Sequence, residues 1–494
     1  MKKIILGFLF FLSWVYVDAQ VVYSLADCRK MATTHNNDIK ISSEQVKAAE
    51  QMKKAARTQY LPSFSANGSY LHNQKNVSLF SEDQYLPVFA YNADGSKNYA
   101  NSWNNSWTSY GGQVVPTDAG GLPFDPSTHP DKIEWKYKAY IPKESFDFDM
   151  KNVFVGAVTL TQPLFAGGKI IQLNRIANSS LKLAEAQQSG EISQTIVNTD
   201  IAYWRIVSLV NKEKLAKSYV ALLKKLESNV EKSISIGVAS KSDGLTVKVK
   251  LNEAEMALLQ AQNGLTLSRM ALCQVCGLSL QSTFKLEDEG LDIFKEAPFE
   301  LNTTDSSGQN RYELQALKQG LSIAESTEKL AVSRFLPNAA LVAGYAVSNP
   351  NMYNGIEAKL GGQYQVGVVV NVPLFHFGER MHTLQAAKSE KEVARYKLED
   401  AREKIELDIA QARFKRIESI KKAEMTANNT SKAEENLHFA SIGFEAGTIN
   451  ASTLMEAQTA WLKANTENID ALIDVRLTNV QLQKALGNLN INNQ

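Results

Sequence analysis

The chain repeats itself across its longest proline-free stretches. Pro163-Leu164-Phe165 returns as Pro373-Leu374-Phe375, 210 positions later. The offset then holds without slipping: Gly168 falls on Gly378, Gly237 on Gly447, Ser242 on Ser452, Leu272 on Leu482 and Gly277 on Gly487. Loops absorb insertions, whereas long packed elements do not, so more than a hundred residues without a net insertion mean that length itself is constrained. A period of 210 is far longer than a solenoid repeat of about 20–50 residues and reads as a duplicated half-protein. No proline lies between Pro163 and Pro298, and Pro373 is the last in the chain. Proline breaks helix interiors, so its absence permits very long helices, divided at Gly237 and Gly447. A helix from Ala166 to Ile236 would reach roughly 100 Å at about 1.5 Å per residue.

A second grammar precedes each copy. Tyr23 to Thr58 reads as helix with Ser24 as N-cap, and Leu61-Pro62 ends it. Strict alternation follows, with Phe64, Ala66, Gly68 and Tyr70 on one face and Ser63, Ser65, Asn67 and Ser69 on the other, which predicts a strand. The pattern returns 275 positions on: Arg311 to Arg334 as helix, Leu336-Pro337 as the stop, and a strand through Leu341, Ala343 and Tyr345. The two offsets differ by 65, so the first half carries 65 extra residues somewhere in 71–149. That stretch is rich in Trp, Tyr, Asn and Pro and reads as a long ordered loop. The second strand of each half leads into the Pro-Leu-Phe motif. Tyr364, Val366, Val368, Val370 and Val372 oppose Gln365, Gly367, Val369 and Asn371, and Phe154, Val158 and Leu160 oppose Ala157, Thr159 and Thr161.

Each half therefore supplies helix, strand, strand, long helix, glycine turn and long helix. Four strands cannot close a membrane barrel, because the smallest have about eight, and an open edge is not viable in lipid. If these strands enter a membrane, several chains must share the barrel. The helices carry seams at Leu215, Tyr219, Leu222, Leu226 and Val230 and at Leu398, Ala401, Ile405, Ile409 and Ala412, spaced for either an ordinary core or a coiled-coil-like packing.

Residues 1–19 read as a secretory signal: Lys2 and Lys3, an apolar run Ile4 to Val17, and a cleavage site at Val17-Asp18-Ala19 that makes Gln20 the mature N-terminus. No Cys sits at that junction to carry a lipid anchor. Beyond it no stretch is long and apolar enough for a transmembrane helix, although barrel strands give a much weaker signal. The remaining chain divides into a first repeat over 20–280, a small mixed connecting segment over 281–308, and a second repeat over 309–494 that ends in a short tail. A net charge of +1 argues against nucleic acid as a partner.

The order and spacing of the Leu-Pro strand entries, of Gln162-Pro163-Leu164-Phe165-x-x-Gly168 with its second copy, and of Gly237-x-x-x-x-Ser242-Asp243 with Gly447-x-x-x-x-Ser452-Thr453 resemble the TolC-like outer-membrane efflux proteins over the whole mature chain. The resemblance implies a mainly α fold with a membrane β-barrel: a homotrimer whose long antiparallel helices form a periplasmic tunnel, with four strands per protomer in a shared 12-stranded barrel embedded in outer-membrane lipid. It also implies a periplasmic adaptor and, through it, an inner-membrane pump of the RND or ABC type. On that template Pro163, Gly168, Pro373 and Gly378 mark strand–helix junctions, the 71–149 loop faces outward, and Gly237 and Gly447 turn the helices at the periplasmic tip. Relatives carry Thr-Asp on the first turn, matched by Ser242-Asp243, and hold that Asp with a Tyr and an Arg on the second. The matching positions here are Phe444 and Ile449, which cannot form those bridges. Of two acidic rings at the relatives' entrance, the matching positions are Thr453 and Glu456, so one acid survives.

The residues supply no catalytic, cofactor or metal constellation. The six histidines make no ligand spacing, and no Walker loop, dinucleotide fingerprint or GxSxG is present. Cys273 and Cys276 form C-x-x-C, readable as a redox or metal pair or as small buried hydrophobes at a helix end. The expectation is a non-enzyme: an exit duct for small-molecule efflux, with a type I protein-secretion duct as the alternative and a soluble periplasmic coiled-coil scaffold as a third reading.

Overall fold

The computed structural model describes residues 21–290, 308–353 and 355–489, so the signal segment and most of the connecting segment lie outside the described residues. Two compact units are formed: one from 21–59, 167–336 and 374–489, the other from 60–166 and 337–373. Both draw on both sequence repeats.

The first unit is helical. It contains α1 (Leu25–His35), α2 (Asn37–Thr58), α3 (Lys169–Ser235), α4 (Lys241–Cys276), α5 (Tyr312–Ser333), α6 (Glu379–Glu445) and α7 (Ala451–Leu486). The duplication is obeyed to the residue. The helices α3 and α6 each have 67 residues, α4 and α7 each 36, and α2 and α5 each 22. The single helix expected over Tyr23–Thr58 is broken. Asn36 leaves the helical region (φ −61°, ψ 133°), and its side chain caps α2 through Asp38 N. Tyr23 belongs instead to a parallel pair, Val22–Tyr23 with Lys285–Leu286. Ser24 caps α1 as expected, in a reciprocal box with Asp27.

The long helices lie side by side in the order α4–α3–α7–α6. Three apolar clusters hold them. One gathers Tyr203, Ile206, Val207, Leu272, Cys273, Cys276, Phe284 and Ile473 with Cys28 of α1. The second gathers Tyr219, Leu223, Leu226 and Val230 of α3, Val247 and Leu251 of α4, and Leu454 and Met455 of α7. The third joins Leu398, Ile405, Ile409 and Ala412 of α6 to Leu314 of α5 and Leu482 and Leu486 of α7. Most seam residues expected from spacing are buried, including Leu215, Tyr219, Leu226 and Val230 on α3 and Leu398, Ile405, Ile409 and Ala412 on α6, but Leu223 rather than half-buried Leu222 is the core residue at its turn. The outward faces of the two end helices stay bare: Leu245, Val249, Met256 and Leu259 on α4, and Leu407, Phe414, Met425 and Phe439 on α6 are exposed apolar residues.

The second unit contains a four-stranded antiparallel sheet of β1 (Ser63–His72), β2 (Asn152–Ala166), β3 (Asn338–Asn349) and β4 (Gly361–Asn371), ordered β4–β3–β2–β1. Its register aligns the alternation of all four strands. Phe64, Leu160, Ala343 and Val366 form one row, and Ala66, Val158, Tyr345 and Tyr364 the next. Between them runs a row of small and polar residues, Ser65, Thr159, Gly344 and Gln365, facing the other way. One face is therefore predominantly apolar, and the other carries the small and polar residues together with valines such as Val155, Val342 and Val369. The apolar row residues Phe64, Val158, Tyr345 and Tyr364 are exposed, as are the outer edges of β1 and β4.

The 71–149 stretch is a folded element of short antiparallel pairs, such as Gln84–Pro87 with Lys138–Ile141 and Trp107–Tyr110 with Gln113–Pro116. An aromatic core holds it, with Phe89 edge-on to Trp135 (4.8 Å) and Trp103 stacked on Trp107 (5.7 Å).

One buried ion pair ties α1 to α3. The guanidinium of Arg29 donates to both oxygens of Asp200, at 2.7 and 2.6 Å, and the Asp200 side chain is fully buried. Removing one partner strands the other charge in the core. Arg29→Ala is expected to cost about 3–5 kcal/mol, read as a lower denaturation midpoint. The exposed pair Lys47–Glu44 serves as control, where Lys47→Ala should shift the midpoint within error.

Candidate gate at the paired helix turns

The two glycine turns close the long helix pairs by one mechanism. After α3, Gly237 takes φ 77°, a region that L side chains avoid; its N–H donates to Ile234 O (3.1 Å), and Val238 N and Ala239 N both donate to Ser233 O (2.9 and 3.2 Å). After α6, Gly447 takes φ 73° and donates to Phe444 O (3.0 Å), while Thr448 N and Ile449 N both donate to Gly443 O (2.9 and 3.4 Å). Two of the orphan carbonyls at each helix end, those of Ser233 and Ile234 on α3 and of Gly443 and Phe444 on α6, are thereby paired.

The next helices start on side-chain caps. Ser240 caps α4, where Asp243 N donates to Ser240 Oγ (3.1 Å), and Ser240 N and Oγ donate to Asp243 Oδ2 (3.0 and 2.7 Å). This reciprocal box satisfies two orphan donors at once. The hydrogen bond from the Ser240 side chain, aided by its backbone N–H, holds the exposed Asp243 carboxyl below its ordinary range. Asn450 caps α7 by accepting from Thr453 N (2.9 Å) and Thr453 Oγ1 (3.0 Å). Asp243 and Thr453, one repeat apart, are the third residues of matching caps. Sequence reasoning missed Ser240 and Asn450. The signal was available in Ser240-x-x-Asp243, the spacing of a capping box.

The other expected site residues separate into two groups. Phe444 is half-buried against the cluster that Val247, Leu454 and Met455 share. Ile449 is half-buried and packs beside Gly443. Ser242 and Glu456 are exposed, with the Ser242 carbonyl accepting from Thr246 Oγ1 (3.0 Å). The arrangement brings Phe444 into the core of the turn region and leaves Asp243 engaged with its own helix. Nearby ion pairs such as Lys248–Glu231 (3.0 Å) are exposed and contribute little.

At the strand–helix junctions Gly168 (φ 84°) and Gly378 (φ 89°) are the N-caps of α3 and α6, as the repeat implies. The prolines differ. Pro163 lies within β2, which continues past an irregularity and still pairs Phe165 with Ala339 and Ala166 with Asn338. Pro373 falls beyond β4, which ends at Asn371. The difference follows from the neighbours: β2 has β3 alongside, whereas the matching side of β4 is a sheet edge.

Residues 304–488 match the family described as outer membrane efflux protein. The chain is 20% identical to outer membrane protein TolC of Vibrio cholerae over 357 residues, covering 70% of this chain and 78% of that protein. Its fold is similar to that of the outer membrane protein VceC of Vibrio cholerae, with a TM-score of 0.68, 15% identity, and 94% of this chain and 96% of that one covered. It is likewise similar to the CmeC outer membrane channel of Campylobacter jejuni, with a TM-score of 0.68, 16% identity, and coverage of 95% and 87%. Over residues 304–488 the chain carries the outer membrane efflux protein domain, and over nearly its whole length it has the fold of TolC-like outer-membrane channels. Its location is the outer membrane, and the homologues are channels rather than enzymes. Among the described residues of this TolC-like protein no helix is long and apolar enough to cross a membrane, and none of the His, Cys, Asp and Glu groups could hold a metal.

The cap gives a test of its own. Asp243→Ala should speed amide hydrogen exchange at Ser240 and in the first turn of α4 several-fold, with little change around Asn450. A carboxyl whose pKa is lowered on folding stabilises above its unfolded value and loses that contribution as pH falls through its folded value. The wild-type turn should therefore show the same acceleration only below its ordinary value of 3.8. Equal exchange in both proteins at neutral pH would remove the cap from the account.

Proposed function

We propose that this chain is one protomer of a trimeric exit duct, passively conducting small molecules from an adaptor and inner-membrane pump to the exterior. The observation that carries the reading is that the row of elements in each unit is open at both ends and follows the pseudo-repeat. The helices run α4–α3–α7–α6, alternating second and first long helix of each repeat, and the strands run β4–β3–β2–β1. Bare apolar faces on α4 and α6 suit a neighbouring copy. Unpaired backbone on β1 and β4 requires one, since lipid offers no hydrogen bonds. Three chains supplying four strands each give a 12-stranded barrel with its apolar face to lipid. The apolar sheet face argues against the coiled-coil scaffold. The folded 71–149 element lies on the strand–strand connection that faces outward in such barrels.

Gly237, Ser242, Asp243, Phe444, Gly447, Ile449, Thr453 and Glu456 then form the periplasmic constriction. Asp243 is already satisfied by Ser240, so closure rests on apolar packing around Phe444 rather than on an ionic bridge. Three copies of exposed Glu456 would favour cations at the entrance. In planar bilayers Phe444→Ala should raise conductance, Asp243→Ala should leave it nearly unchanged, and Glu456→Gln should lower cation preference. A large gain from Asp243→Ala alone would overturn the gate assignment. In cells, deletion should raise accumulation of an exported dye; normal dye export with loss of a secreted protein would favour a protein-secretion duct.

The repeat also predicts how neighbouring copies pair. Within the chain, the hairpin register Phe64↔Leu160 recurs, shifted by 275 and 210, as Ala339↔Val370. The same shifts applied to Leu160↔Ala343, which joins the two hairpins, move it onto Val370 and Gly68 of the partner subunit. In a cysteine-free background, Gly68→Cys with Val370→Cys should cross-link chains into trimers under mild oxidation. Gly68→Cys with Tyr364→Cys should not. Cross-linking with the second pair and not the first would reject this register.

A further inference from the structure

The chain has three cysteines, and all three meet in one place. Cys28 lies in the first turns of α1, and Cys273 and Cys276 end α4, so 248 positions separate Cys28 from Cys276. All three are buried to 1% exposure or less in the same apolar cluster. The Cys276 thiol donates to the carbonyl oxygen of Cys28 (3.6 Å), and all three cysteines are free thiols in the structure. The backbones approach closely here too. A Cβ on Gly277 would sit 2.6 Å from His35 Cβ, and Asn36 Nδ2 donates to Val275 O (3.5 Å).

Packing alone does not call for sulfur. The repeat counterpart of Cys276 is Leu486, and that of Cys273 is Gln483; Leu486 is 2% exposed in its own cluster. A leucine therefore serves the same helix end in the second repeat. Among the described residues, it is α1 of the first repeat that brings Cys28 against the end of α4.

We propose that Cys28 and Cys276 form a disulfide in the exported protein, stapling the N-terminal helix to the end of α4, while Cys273 remains a thiol. The inference rests on outer-membrane location, because disulfides persist in exported proteins and are rare in the cytosol. The oxidant is an exported dithiol–disulfide oxidoreductase. The thiolate of one cysteine attacks the oxidant's disulfide to give a mixed disulfide. The second thiolate then attacks the chain's sulfur, forming the Cys28–Cys276 bond and releasing the oxidant as a dithiol. Two protons and two electrons leave the chain, and the oxidant gains them.

Tryptic peptides separate the possibilities. The sequence predicts cleavage after Arg29 and Arg269, so Cys28 falls on one peptide and Cys273 and Cys276 share another, 270–285. Protein purified from membranes, alkylated in denaturant without reduction, should yield these two peptides linked, with one alkylated thiol per chain. Cys276→Leu, which copies the second repeat, should abolish the link while the protein still assembles. Cys273→Ser should keep the link. The same chain without residues 1–19, retained in the cytosol, should carry three thiols. Three alkylated thiols in the exported protein, or a bond internal to 270–285, would overturn the proposal.

Discussion

The backbone hydrogen bonds on the two edges of the sheet are the constraint on which the rest depends. Among the described residues, β1 and β4 each present one side with no strand beside it, on a sheet whose outer face is largely Phe, Tyr, Val and Leu interleaved with Gly and Ala. Such a face suits hydrocarbon, and hydrocarbon cannot satisfy open edges. In the proposed shared barrel both requirements are met by joining edges from separate chains. The exposed apolar stripes on α4 and α6 have the same cause in the helical unit: they are the uncovered ends of a row that the duplication makes extendable.

Duplication also explains why the two helix turns share a framework and differ in chemistry. Glycine at positive φ and an N-capping side chain recur at each turn, because the helix end demands them. The capping pair itself differs, Ser240 with Asp243 against Asn450 with Thr453. Only the first uses a charge, and that charge is spent within its own turn. Under the proposed gate assignment, half-buried Phe444 and Ile449 make apolar contact the means of closure, and Phe444 packs on the core that holds α3, α4 and α7 together.

Much of this was legible in the chain. The offsets 210 and 275 set every major helix, because packed elements preserve length, and Leu-Pro pairs marked both strand entries. Alternation assigned the sheet faces. Other features were not legible, for physical reasons. The Asn36 break is a side-chain cap inside a continuous helical pattern, and nothing in periodicity marks it. The passage of β2 through Pro163 depends on a neighbour supplied by the other half of the chain. The order inside 71–149 comes from contacts among Phe89, Trp103, Trp107 and Trp135 that composition alone presented as a loop. The meeting of Cys28 with Cys276 needed the packing of α1 on α4, which C-x-x-C spacing conceals. The gate positions came from resemblance, whereas the Ser240 cap that alters their meaning was open to local reading.

The shared barrel is the central claim, and subunit count tests it most directly. The mass of the protein extracted in mild detergent, measured with bound detergent and lipid removed, should be three times that of the processed chain. A stable, membrane-extracted monomer, or a dimer under the same conditions, would contradict it.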